Sequence, residues 1–96
     1  MSMIEELVSH LFDRESSDDA LDAIGRWTCR SCPAGEVERV LAAALLFSKG
    51  DLERLRGALE DSKLDWRDYL VFTGLAGVNW EEVVEKRLKE SASQRL

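Results

Sequence analysis

The stretch "VERVLAAALLFSKGDLERL", residues 37–55, decides the reading of this chain. Val37, Val40, Leu41, Ala44, Leu45, Leu46 and Phe47 place apolar side chains on most sides of a helix. A helix apolar nearly all round is one buried at the centre of a fold. Ala42, Ala43 and Ala44 let neighbouring helices come close. The "SKGD" that follows stops this helix and starts another. Lys49 suits the negative end of the first helix, Gly50 the left-handed position after it, and Asp51 the cap of the next. Leu52, Leu55 and Leu59 are the buried stripe of that next helix.

Towards the N-terminus, Pro33 marks a boundary, because proline fits the first turn of a helix and not its interior. Before it, Ala20, Leu21, Ile24 and Trp27 give a helix running to about Cys29 or Arg30. Ser16 or Ser17 is its expected cap, with Asp18 and Asp19 in the first turn complementing the helix dipole. Met3, Ile4, Leu7, Val8, Leu11 and Phe12 form one stripe, which predicts a first helix near residues 2–13.

Towards the C-terminus, Asp65 is expected to open a fifth helix, "WRDYLVFTGL", ended by Gly77. In "VNWEEVV", Asn79 is a good cap, Glu82 stands three residues on for the reciprocal bond, and Val78 can staple to Val83. A sixth helix then runs from Trp80 to about Lys89. Period-two alternation is not sustained anywhere. The prediction is an all-α, compact single-domain bundle of five to six short helices, with a buried central helix near residues 35–48. The domain spans residues 1–90, and residues 91–96 form a frayed tail.

Bulk properties narrow the function. The 96 residues carry a net charge of −6, with 45% hydrophobic and 33% charged residues. A net negative field repels nucleic acid, which needs a basic face. The densest basic run, "EKRLKE" at residues 85–90, is neutralised by its own glutamates. The longest apolar run, residues 40–47, is far too short to span a bilayer. The N-terminal stretch carries Glu5 and Glu6 rather than a basic segment, so no secretory signal is read. Two cysteines make no disulfide framework, and a cytoplasmic location is expected.

Cys29 and Cys32 stand in "WTCRSCPAGE" with C-x-x-C spacing. A structural zinc site wants four thiolate or imidazole ligands, and the chain adds only His10, far away in sequence. "WTCRSCP" resembles the thioredoxin active-site run in its Trp, but that family keeps its proline between the cysteines, and Pro33 follows them. The pair and the helix after it are also similar to the all-helical alkylhydroperoxidase-like family, whose motif is C-x-x-C-x-x-x-H. That resemblance implies thiol redox chemistry by Cys29 and Cys32, with Glu36 standing where the family has histidine. Arg26, Arg30 and a helix N-terminus near Cys32 would lower a thiol pKa. The packing alternative extends the second helix to Cys32, which then falls within about 20° of Leu21 at about 100° per residue. On that reading the pair completes an apolar stripe, and this reading is the favoured one.

The other residue types carry less chemistry. Trp27, Trp66 and Trp80 sit near helix ends, where tryptophan anchors a core with its N–H at the rim. Trp80 is the one expected to be an exposed contact. His10 beside Leu11 has no nucleophile or carboxylate placed near it by sequence, so no triad is read. "SSDDALD" lacks the ordered alternation of a calcium loop, and the scattered glycines make no phosphate loop. A helix-turn-helix over residues 52–77 fails because its second helix offers only Arg67 as a donor and is mostly apolar. Such a helix belongs in a core or against another protein.

"GDLERLRGALEDSKLDWRDYLVFTGLAG", residues 50–77, resembles small uncharacterised bacterial proteins with a G-D-L-x-x-L then D-W-R-D-x-L order, a likeness that implies no activity. In that segment Asp65 caps a helix, Asp68 supports the same end, and Arg67 can bridge to an acidic neighbour. The function expected is a small acidic module for protein–protein contact or self-association, without catalysis, cofactor, metal, nucleic acid or membrane. Trp80, Arg67 and Asp68 are the residues expected to touch a partner. The alternative is a thiol redox protein using Cys29, Cys32 and Glu36.

Overall fold

Residues 40–45 are almost wholly withdrawn from solvent, and the helix carrying them is the axis of the fold. The computed structural model describes residues 3–27 and 33–94. Five α-helices follow one another: α1 Met3–Leu11, α2 Arg14–Arg26, α3 Val37–Ser48, α4 Leu52–Thr73 and α5 Trp80–Gln94. A 3₁₀ turn at Ala34–Glu36 leads into α3, and the described residues contain no strand. α3 packs chiefly against α4 and also against α1. α2 lies on α1 and α4, and α5 lies on α1. The radius of gyration, 12.4 Å, is what a compact domain of this length has, about 12–13 Å. This is the all-α bundle with a buried central helix that the apolar run predicts.

The α3–α4 hairpin is built as its sequence suggests, with one addition. Lys49 (φ 53°) and Gly50 (φ 86°) both take left-handed backbone. The cost to Lys49 is offset by the tight turn. The Asp51 amide donates to the Ser48 carbonyl at 3.0 Å, and Asp51 Oδ1 accepts from the Arg54 amide at 3.2 Å. Buried Ser48 is satisfied within the turn, its hydroxyl donating to the Leu45 carbonyl at 2.6 Å and accepting from the Gly50 amide at 3.3 Å. Gly50 lies directly against the Leu11 carbonyl, so the end of α1 rests on this turn.

α2 departs from expectation at both ends. Its cap is Asp13, whose Oδ1 accepts from the Ser16 amide at 2.8 Å. Ser16 and Ser17 therefore stand inside the first turn, and the Ser17 hydroxyl donates back to the Arg14 carbonyl. The helix stops at Arg26, with Trp27 extended (φ −70°, ψ 129°). The expected end at Cys29 or Arg30 lies outside the described residues. The inward face is Ala20, Ala23, Ile24 and Trp27, while Leu21 turns out to solvent at 39% exposure.

The two helices expected either side of Asp65 are both present and meet there at a kink. Asp65 breaks helical geometry (φ −128°, ψ 48°), so α4 is two helical segments joined at the expected boundary. No Gly or Pro stands between residues 58 and 73 to reverse the chain. The Tyr69 hydroxyl reaches back across the kink to Asp61 Oδ2 at 2.9 Å. α4 ends at Gly74 (φ 78°), not at Gly77. The Leu75 amide bonds to the Leu70 carbonyl at 2.8 Å and the Gly74 amide to the Val71 carbonyl at 3.2 Å. These paired bonds close a helix end around a left-handed residue, with Leu75 buried against Leu70.

At the start of α5 the Val83 amide bonds to the Asn79 carbonyl at 3.2 Å. The staple from Val78 to Val83 is not made, since Val78 is fully exposed. The helix runs through Gln94 instead of stopping near Lys89, so residues 91–94 of the expected tail are helical. Val84 is its buried anchor. Among the described residues, no helix is long and apolar enough to cross a membrane.

Candidate functional site

Beyond the kink, α4 divides its side chains by helical spacing. Tyr69, Leu70 and Thr73 face inward and Trp66 is half-buried, while Arg67, Asp68, Val71 and Phe72 face solvent. Val71 is 67% and Phe72 71% exposed. Residues three and four apart share a helix face, so these four outward side chains form one strip. The core reading of "WRDYLVFTGL" is therefore correct for one side of the helix only. α5 lies along α1 rather than over this strip, which is why the apolar pair stays uncovered.

An aromatic relay ties the strip to the centre of the molecule. Phe72 meets Tyr69 edge-on at 6.3 Å between ring centroids, and Tyr69 meets Phe47 edge-on at 5.1 Å. The guanidinium of Arg54 lies 4.6 Å over the Phe47 ring. These rings open onto a cleft of about 340 Å³ between α3, α4 and α5, with Leu46, Phe47 and Phe72 as its apolar surface. Lys49, Arg54 and Arg87 stand around it, and none of the described side chains lining it is acidic. Arg87 Nη2 donates to the Thr73 carbonyl at 3.5 Å, at the end of α4. Lys49, Arg54 and Arg87 form no ion pair among the described residues.

Tyr69 is the one buried titratable group in this neighbourhood. Burial, then its bond to the Asp61 carboxylate, pushes its hydroxyl up to about 12. It stays protonated at any ordinary pH and serves as a neutral donor.

The candidate residues from the sequence are distributed unevenly. Arg67 and Asp68 do lie side by side on the exposed strip. Arg67 lies over the ring of Trp66 at 5.2 Å and makes no bridge to an acidic neighbour among the described residues. Trp80 is half-buried against the core, with the Arg39 guanidinium 5.7 Å from its ring centre. It is a packing residue at the start of α5 more than a free aromatic.

Cys29 and Cys32 lie outside the described residues. Glu36, at the end of the 3₁₀ turn, holds Oε2 3.0 Å from Arg39 Nε. Both atoms are buried, and their contact is ionic without hydrogen-bond alignment. The Glu36 carboxylate is thus engaged by Arg39, which in turn covers Trp80. Among the described residues, no group of three or more His, Cys, Asp or Glu could hold a metal ion.

A second cavity of about 370 Å³ lies between α2 and α4 beside Trp27. Its charges are mixed, and two pairs neutralise one another: Arg26 with Asp22 at 3.2 Å and Lys63 with Glu60 at 3.1 Å. The cleft at Phe72 differs in having cations alone.

Sequence reasoning did not single out Val71, Phe72, Arg54 or Arg87, and it placed Lys49 only as the cation at the end of α3. One signal for the pair was present: Leu70, Val71 and Phe72 are consecutive, and about 100° per residue cannot turn all three inward. Lys49 and Arg54 flank the α3–α4 turn, while Arg87 is far from both in sequence and joins them only where α5 meets the end of α4 at Thr73. Comparison with family models, curated proteins and solved structures finds no match to this chain.

Proposed function

We propose that the chain is a non-enzymatic protein-binding module whose docking surface is the exposed end of α4. The observation that carries this reading is the exposure of Val71 and Phe72 side by side, flanked by Arg67 and Asp68. Isolated exposed apolar residues are ordinary, but adjacent large ones next to a cleft mark a contact surface. Phenylalanine and arginine are also among the residue types enriched at interfaces. The rigid support of the strip adds to the case. Tyr69, Leu70 and Thr73 fix the helix from behind, so docking need not order it first.

The test is a photo-crosslinking residue placed at position 72 and, separately, at position 18 on exposed α2, in cells producing the protein. A discrete adduct from position 72 and none from position 18 is expected. The adduct's mass separates a second copy of the chain from a different protein. The same adducts from both positions, or none from either, would overturn the reading.

A further inference from the structure

We infer that the cleft between α3, α4 and α5 receives an acidic peptide segment of a partner protein, anchored by one apolar side chain. The inference rests on the docking role proposed for α4 and adds the chemistry of the occupant. Charge complementarity carries it. The chain has a net charge of −6, yet the cleft is bordered by Lys49, Arg54 and Arg87 with no acidic side chain among its described lining. None of the three is neutralised by an ion pair among the described residues.

Local structure explains part of this placement and leaves the rest. Lys49 at the end of α3 suits that helix dipole. Arg87 uses one of its donors on the Thr73 carbonyl. Arg54 stands in the first turn of α4, where a cation opposes the helix dipole. Its guanidinium lies 4.6 Å over the Phe47 ring and makes no ion pair among the described residues. A guanidinium has five N–H donors in a planar fork matched to carboxylate, so both arginines keep donors for a ligand.

The floor selects against a simple polyanion. Phe47 and Phe72 offer ring surface that a phosphate chain would leave unused, and the overall negative charge repels long polyanions. A short acidic segment satisfies both features: its carboxylates meet the cations while an aliphatic or aromatic side chain covers the rings. A second copy of this chain would bring its own net negative charge to the contact.

The experiment titrates isotope-labelled protein with a capped pentapeptide of one phenylalanine between two pairs of glutamates, followed by backbone amide NMR. A matched peptide with lysines for the glutamates is the control. Shifts centred on Phe47, Arg54, Phe72 and Arg87 are expected with the acidic peptide only, weakening as salt rises from about 0.05 to about 0.5 M. The Arg54→Glu, Arg87→Glu double variant should weaken binding by about tenfold or more, through like-charge contact. Arg54→Gln with Arg87→Gln should weaken it less and serves if the reversal variant does not fold. Equal response to the lysine peptide, shifts elsewhere, or binding indifferent to either double variant would overturn the inference. So would self-association lost on charge reversal, which would make a second copy the occupant. If the position-72 adduct persists in a folded charge-reversal variant, the docking role of α4 stands and the acidic-segment inference alone falls.

Discussion

The indole of Trp27 donates to the Leu59 carbonyl at 2.8 Å and lies 3.1 Å from the Ser62 hydroxyl, which itself donates to the same carbonyl at 2.9 Å. A residue at the end of α2 is thereby fixed into the middle of α4, with Trp27 and Ser62 both buried. Trp27→Ala should cost about 3–5 kcal/mol, the range for removing a large core aromatic. Ser62→Ala should cost about 1 kcal/mol, because the Leu59 carbonyl keeps its bond from the indole. Urea unfolding followed by circular dichroism measures both, and equal losses would contradict this geometry.

Two glycines with similar backbone should respond differently to one methyl group. Gly74 (φ 78°) has open space where a Cβ would stand, whereas at Gly50 (φ 86°) a Cβ would strike the Leu11 carbonyl oxygen. Gly74→Ala should cost about 1–2 kcal/mol, the strain of a left-handed residue. Gly50→Ala should cost about 1–3 kcal/mol more, since α1 must move from the hairpin turn. Thermal unfolding of the two variants decides the order.

The raised pKa of Tyr69 links stability to alkaline pH. Burial and the Asp61 carboxylate favour the neutral hydroxyl in the folded chain, up to about 12. The unfolded value is near the usual 10. A folded pKa above the unfolded one gives stability that is complete below about pH 10 and lost as pH rises through about 12. Ultraviolet titration of the single tyrosine should therefore show a late midpoint. In Asp61→Asn the midpoint should fall, as the carboxylate's contribution is removed while burial remains.

The parts of the fold readable in the sequence are those set by local chemistry. Residues 37–47 are apolar on most sides, and only a central position accommodates that. Asp51 caps α4 because Gly50 and Lys49 have already turned the chain. The α2 cap was ambiguous because Asp13, Ser16 and Ser17 are all good capping residues within one turn. The Ser16 amide bonds to the Asp13 carboxylate, which also holds that carboxyl below its ordinary value. Leu21 and the Val71–Phe72 pair share another cause. Their exposure depends on where neighbouring helices lie, and a single helix's periodicity does not contain that. The cleft was hidden for the same reason, since Arg54 and Arg87 meet through tertiary packing alone.

Arg67 and Asp68 precede Val71 and Phe72 by one helical turn on the same exposed strip, so they test the docking surface from beside it. A photo-crosslinking residue at position 68 should report a partner bound over Val71 and Phe72. Val71→Ser with Phe72→Ser should leave the protein folded at a cost of about 1–2 kcal/mol, mostly from the lost edge-on contact of Phe72 with Tyr69. The decisive measurement is the position-68 adduct in that double variant beside its unfolding curve. Loss of the adduct with the fold retained is the expected result. An undiminished adduct, or a fold that fails with the substitution, would contradict a docking role for this end of α4.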